Sequence, residues 1–183
     1  MNLHTRIPIL LFSALIALQV AVAQQTKDTA ERETREAVCQ RVTCRPPTTV
    51  RLRLNDKEYF EMQFPKGPYV ADGFINILAG EELNVEFDDR RGQLSNPHYV
   101  KSPVHPERTI SLRLEQKDEN MILEIKNPFP KEIVYDCLIQ HYSEQRLRRT
   151  SVLPVGGGLM SFESWPYPVA QVVISHVRYS SQK

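Results

Sequence analysis

Cys137 and His141, four residues apart with Asp136 alongside, are the residues of this chain that come nearest to a nucleophile, a base and an orienting carboxylate. On a helix, side chains at that spacing meet, and thiolate–imidazole chemistry would follow. Their neighbours forbid a helix. Ile133, Tyr135, Cys137 and Ile139 recur at every second residue, the period of a strand, and a strand rising about 3.3 Å per residue holds positions 137 and 141 roughly 13 Å apart. Cys137 is therefore expected to be a small core residue. His98 and His105 share a span with Asp88, Asp89 and Glu107, and imidazole with carboxylate suits several divalent ions. Their spacing matches no known ligand set, so no metal is expected.

Gly156-Gly157-Gly158 has the look of a phosphate cradle, but a P-loop continues with Lys-Ser or Lys-Thr opening a helix. Here Leu159-Met160-Ser161-Phe162 follows and reads as strand, so the glycines are expected to be a hairpin turn. No Gly-x-Ser-x-Gly, His-Glu-x-x-His or paired-carboxylate motif occurs. The expectation is a protein without catalytic residues or a cofactor. Phe129, Trp165 and Tyr167 sit beside prolines at bends, where they form a sugar- or peptide-binding platform if exposed and plug the fold if buried. Plugs are the favoured reading. Arg146, Arg148 and Arg149 crowd a polar connection, and Arg90-Arg91 opens another that is expected at the same end of the fold. Guanidinium forks suit carboxylate and phosphate, so these five arginines are the candidate binding residues for an anionic partner.

The elements that must position these residues are strands. Ile110, Leu112 and Leu114 alternate with polar residues, Lys117 to Asn120 turns the chain, and Met121, Leu123 and Ile125 resume the alternation. Asn127-Pro128-Phe129-Pro130-Lys131 interrupts it, because proline donates no ladder hydrogen bond, before the run from Ile133. Val50, Leu52 and Leu54 with Phe60, Met62 and Phe64 form another hairpin; Leu83, Val85 and Phe87 form a further strand, and Val169 to Tyr179 closes the chain. Turns every 8 to 12 residues or so predict an antiparallel sandwich. Between Asp88 and Arg108 the alternation fails, and a long surface loop is expected, with one short edge strand near Tyr99-Val100; two small β subdomains meeting there are the alternative. The strand pattern resembles immunoglobulin-like sandwiches in general, although Cys137 has no cysteine partner on the closing strand.

Arg6, the apolar run from Ile9 to Leu18 and Ala21-Val22-Ala23 predict a signal peptide over residues 1–23, cleaved after Ala23, with no membrane span afterwards. Removing 23 of 183 residues leaves 160, enough for one core. Because Arg6 is the only charged residue of that leader, the remainder carries 22 basic and 22 acidic residues, a balance that argues against nucleic acid. Residues 24–47 read as a polar tether, ending at Arg45-Pro46-Pro47, and 48–180 as the β-sandwich domain. Cys39 and Cys44 enclose four residues and are expected to pair locally; the rival pairing ties one of them to Cys137. The function implied is that of a secreted or periplasmic, non-catalytic binding or structural module of the cell envelope, engaging a protein partner through loops or a sheet edge. The alternatives are a domain binding anionic envelope polymer, or a small hydrolase or metal protein built on the span 88–108.

Overall fold

A computed structural model describes residues 34–180. The expected leader, residues 24–33 of the tether and residues 181–183 lie outside the described residues. The chain divides into a unit ending at Val38 and a unit spanning Cys39–Lys183. Of the first, residues 34–38 are helical. All that follows concerns the second.

Fourteen strands occur in chain order: β1 (Cys44–Arg45), β2 (Thr48–Arg53), β3 (Tyr59–Phe64), β4 (Gly67–Pro68), β5 (Val70–Ala71), β6 (Phe74–Leu78), β7 (Glu82–Arg90), β8 (Gln93–Val100), β9 (Thr109–Lys117), β10 (Asn120–Lys126), β11 (Ile133–His141), β12 (Arg148–Thr150), β13 (Met160–Trp165) and β14 (Val169–Tyr179). They build two five-stranded antiparallel sheets, ordered β13-β10-β9-β7-β8 and β12-β11-β14-β6-β5, with the small pairs β1-β4 and β2-β3 added. The protein is all-β, and the layering is that of a β-sandwich.

Alternation decides which side of each strand is dry. Leu83, Val85 and Phe87 of β7, Ile110, Leu112 and Leu114 of β9, and Met121, Leu123 and Ile125 of β10 are all at most 2% exposed. Across from them Ile75 and Ile77, Tyr135, Cys137 and Ile139, and Val172 and Ile174 complete one continuous core. Each such side chain contributes on the order of 1.5–3 kcal/mol through burial, which is why the strand phase read from the sequence survives in the fold. The β2-β3 hairpin adds Val50 and Leu52 to the same core. Gln116 of β9 pins it by accepting from the Arg53 N–H at 2.9 Å and donating to the Arg53 carbonyl at 2.7 Å.

The segment expected as a long loop is mostly strand. β7 runs on to Arg90 and β8 fills Gln93–Val100, joined by a turn in which Arg91 and Gly92 both have positive φ (55° and 77°). The charges that broke the apolar pattern are paired: Asp89 accepts from the Tyr179 hydroxyl at 2.6 Å, while Asp88 lies 3.5 Å from Arg90 and 3.9 Å from Arg108. Pro97 is tolerated because β8 is an edge strand and needs no donor on its free side.

The connection before β11 is held from within. The side chain of Asn127, fully buried, donates to the carbonyls of Lys131 (2.9 Å), Val155 (3.0 Å) and Gly156 (3.0 Å) and accepts from the Phe129 N–H (2.9 Å). The glycine run is not the expected hairpin turn, since β12 and β13 belong to different sheets; it is the turn that leads into β13, and Gly157 lies so close to the connection before β11 that a Cβ there would sit 2.3 Å from the Pro130 carbonyl oxygen. Only glycine permits that approach. Phe129 is buried edge-on between Phe87 and Tyr179, and Trp165 is buried with its indole N–H donating to the Thr150 hydroxyl at 3.2 Å. Tyr167, half-buried, meets the ring of His141 edge-on at 5.1 Å.

Cys39 and Cys44 are bonded to each other, and Cys137 is a buried free thiol. Next to the bridge, Arg45 is 4% exposed. Its guanidinium bonds both carboxylate oxygens of Glu81 (2.8 and 3.0 Å) and the Asn76 carbonyl, and it lies 4.7 Å from the ring centre of Tyr69. Tyr69 in turn stacks on Tyr99 at 4.3 Å, and burial, followed by the Glu81 charge, raises its pKa. The end of the segment read as a tether is thereby built into the domain.

Candidate functional site: an open sheet edge

None of the residue sets with chemical potential assembles. Cys137 faces the core from β11, while His141, at the end of the same strand, turns its Nδ1 to the Ser143 hydroxyl at 2.7 Å. Burial first, and the charge of Glu163 second, push the Cys137 thiol up to about 12, so the thiolate that a nucleophile requires is suppressed. His98 lies 4.0 Å from Glu86, and His105 lies 3.6 Å from Glu107. Among the described residues no group of three or more His, Cys, Asp and Glu side chains is placed to hold a metal ion.

The arginines fall into two groups. Arg90 and Arg91 are at the β7-β8 turn, where Gly92 approaches Lys131, just before the first residue of β11. Arg146 and Arg148 follow the last residue of β11, which at about 3.3 Å per residue lies roughly 26 Å away. The expectation that they share one end is therefore corrected. Arg148 and Arg149 belong to strand β12, not to a connection, and each has a partner: Glu144 at 3.0 Å for Arg148 and Asp136 at 2.8 Å for Arg149. Sequence spacing brought these five side chains together only on paper; β11 is what separates them.

A cleft of about 680 Å³ opens on the flank where β5 and β8 are the edges, between the Asp72-Gly73 turn and Pro97, His98 and Tyr99. Its rim is shaped by Asp72 and Asn96, non-glycine residues with positive φ of 51°. Charges of both signs line it and no buried polar group points to a ligand there.

The opposite flank is different. Four strands end a five-stranded sheet: β5 has two residues, β12 three, and β8 carries Pro97 and a bulge opposite Phe87 of β7. Short length, proline and bulges are the usual protection of a sheet edge. β13 has none of these three; its one guard is the inward-pointing charge of Glu163. Its six residues, Met160-Ser161-Phe162-Glu163-Ser164-Trp165, pair with β10 in unbroken register from Met121↔Trp165 to Lys126↔Met160.

That register tells which backbone groups are free. The two-residue turn at Asp118-Glu119 makes Lys117↔Asn120 a hydrogen-bonded pair, so Ile122, Glu124 and Lys126 bond to β9, while Met121, Leu123 and Ile125 bond to β13. The partners of the latter are Trp165, Glu163 and Ser161. The N–H and C=O groups of Met160, Phe162 and Ser164 consequently point off the edge, and no backbone bond reaches them from the described residues.

The side chains follow the same parity. Ser161, Glu163 and Trp165 point inward, where Glu163 accepts the Leu153 N–H at 2.7 Å and its charge adds to burial in raising the Tyr135 hydroxyl. Met160 and Phe162 point outward, 46% and 59% exposed. Of the eight large apolar side chains exposed among the described residues, four (Leu153, Leu159, Met160 and Phe162) lie on or beside this strand. Scattered exposed apolar residues are ordinary, but a cluster along bare backbone is the chemistry of a site that accepts another strand. Sequence reading identified Leu159 to Phe162 as strand; its place at an edge depended on which strands neighbour it, which no local pattern records. Comparison with models of protein families, with curated proteins and with solved structures found no match.

Proposed function

We propose that this protein is an exported, non-catalytic binding module of the cell envelope, an immunoglobulin-like form of sandwich, which engages a protein partner by taking an extended segment onto β13. The observation that carries this reading is the regular, unbroken edge of β13, free of proline and bulge, with Met160 and Phe162 exposed beside its free backbone groups. Added strands derive affinity from main-chain hydrogen bonds and selectivity from alternate side chains, and this edge supplies both. The leader pattern of residues 1–23 and the Cys39–Cys44 bridge support export to an oxidising compartment. Binding of anionic polymer is less well supported, since Arg90 and Arg91 lie apart from Arg146, Arg148 and Arg149, and two of the latter are neutralised by Glu144 and Asp136.

The test uses the full chain in cells that export it. A photo-crosslinking amino acid in place of Phe162 should yield a discrete protein adduct, and the same substitution at Ser95 on β8 should not. Adding Ser164→Pro should abolish the adduct while preserving the thermal midpoint, because the N–H it removes points off the edge and not towards β10. Absence of an adduct, or an adduct indifferent to Ser164→Pro, would overturn the reading.

A further inference from the structure

We infer that the segment seated on β13 is β13 of a second copy of this chain, so that two sandwiches join their sheets across a two-fold axis. This inference rests on the proposed strand-addition function and names its occupant. An antiparallel two-fold pairing must use the outward groups of Met160, Phe162 and Ser164 in both copies. Centred on Phe162 it pairs Met160 with Ser164 of the second copy, Phe162 with its own equivalent, and Ser164 with Met160, using all three outward residues. Centred on Ser161 it opposes only Met160 and Phe162. Centred on Glu163 it likewise uses two pairs and places the two Glu163 side chains directly opposite, a like-charge arrangement that destabilises a ladder.

The Phe162-centred register is also the one that suits the side chains. It sets Glu163 against Ser161, brings the two exposed Phe162 rings together on the outer face, and covers Met160. Aromatic pairs across strands are among the favourable ones. The charge nearest the axis is Glu163 itself, which accepts the Leu153 N–H at 2.7 Å, while Glu124, opposite Phe162 on β10, lies 2.6 Å from Arg113. On the neighbouring edge of the other layer Arg148 and Arg149 are held by Glu144 and Asp136. In this register no like charges stand directly opposite each other across the axis; the two Glu163 side chains are diagonal neighbours, where the Glu163-centred register would set them face to face. Such a closed, two-fold contact also leaves no free β13 edge on either copy, which removes the aggregation hazard of an exposed edge strand.

The decisive measurement is a pair of cysteine variants of the full exported chain. Residues paired by hydrogen bonds across antiparallel strands have Cα atoms about 5.5 Å apart, within the range a disulfide spans, whereas equivalent positions two residues from the axis do not meet. Phe162→Cys should give a disulfide-linked dimer on mild oxidation and Met160→Cys should not; Cys137 is buried and should not contribute. In parallel, sedimentation equilibrium of the unmodified chain should show a concentration-dependent dimer. Phe162→Lys or Ser164→Pro should weaken it at least ten-fold, with far-ultraviolet dichroism and the thermal midpoint retained.

Equal cross-linking at both positions, or a dimer that survives both edge variants, overturns the self-pairing. A chain that is monomeric at the highest soluble concentration does so too. If that monomer still forms a foreign-protein adduct through Phe162 that Ser164→Pro abolishes, strand addition stands and only the identity of the occupant is wrong.

Discussion

Replacing Asn127 by alanine is expected to destabilise the fold by about 3 kcal/mol, far more than loss of an ordinary polar side chain. Four bonds end on this side chain, but they are not equivalent. The Val155 and Gly156 carbonyls retain second donors in the N–H groups of Ile133 (3.0 Å) and Leu159 (3.1 Å). The Phe129 N–H and the Lys131 carbonyl lose the partner that Asn127 supplies. A buried polar group left without a partner costs about 1–3 kcal/mol, so two cost about 2–6 kcal/mol, and because water reaches the Lys131 carbonyl more easily than the Phe129 N–H the sum falls in the lower half of that range, at about 3 kcal/mol. In a domain with a total stability of about 5–15 kcal/mol this is a large fraction. Urea unfolding should show a lower midpoint with unchanged slope, and the thermal midpoint should fall by roughly 6–12 °C. Asn55→Ala is the control. Asn55 also organises a turn, accepting from the N–H groups of Lys57 (2.9 Å) and Glu58 (3.0 Å), but at the surface, where water replaces it, and its loss should cost below about 1 kcal/mol. Equal costs for the two variants would refute the argument that Asn127 is the internal support of the segment between β10 and β11.

Gly157→Ala should be at least as damaging as Asn127→Ala, about 3 kcal/mol or more by chemical denaturation, because its Cβ would meet the Pro130 carbonyl oxygen at 2.3 Å and backbone must move. Arg45→Ala leaves the Glu81 carboxylate, with its side chain 18% exposed, without its bidentate partner and should cost about 3–5 kcal/mol in the same assay. Ile125→Ala should cost about 2–5 kcal/mol and Glu124→Ala, on the opposite face of β10, under about 1 kcal/mol; similar losses would contradict the strand phase. Cys137 should resist alkylation in the native protein. Its folded-state pKa lies above the ordinary 9.0, at about 12, so the stability gained from keeping the thiol neutral is complete below pH 9 and is lost as pH rises towards 12. Cys137→Ala should flatten that part of the pH–stability profile, and an unchanged slope would show that the thiol does not contribute to it.

Much of the sandwich was legible because burial on one face imposes a period of two. Met121, Leu123 and Ile125, or Ile133, Tyr135, Cys137 and Ile139, announce both strand and phase, since a slip by one residue would expose the whole set. β8 was not legible for the opposite reason. An edge strand with Pro97, a bulge and an Arg-Gly turn departs from alternation, and the charges of β7 that seemed to end a strand are held by Tyr179, Arg90 and Arg108 from elsewhere in the sequence. Arg148 and Arg149 were hidden likewise, as a strand of three residues shows no period.

The sequence by itself determined the class of fold and the inward side chains of the long strands, which depend on the parity of a single strand; it favoured the local Cys39–Cys44 bridge over one to Cys137, and the structure decided between them. Tertiary structure alone decided that β13 lies at an edge, that its Met160, Phe162 and Ser164 backbone groups point outward, and that Arg90 and Arg91 are separated from Arg146, Arg148 and Arg149 along β11. These follow from the order β13-β10-β9-β7-β8 and its registers. Parity states which face of a strand is dry; it does not state which strand lies beside it. That choice is made by contacts between residues tens of positions apart, and with it the place of β13 at the end of its five-stranded sheet.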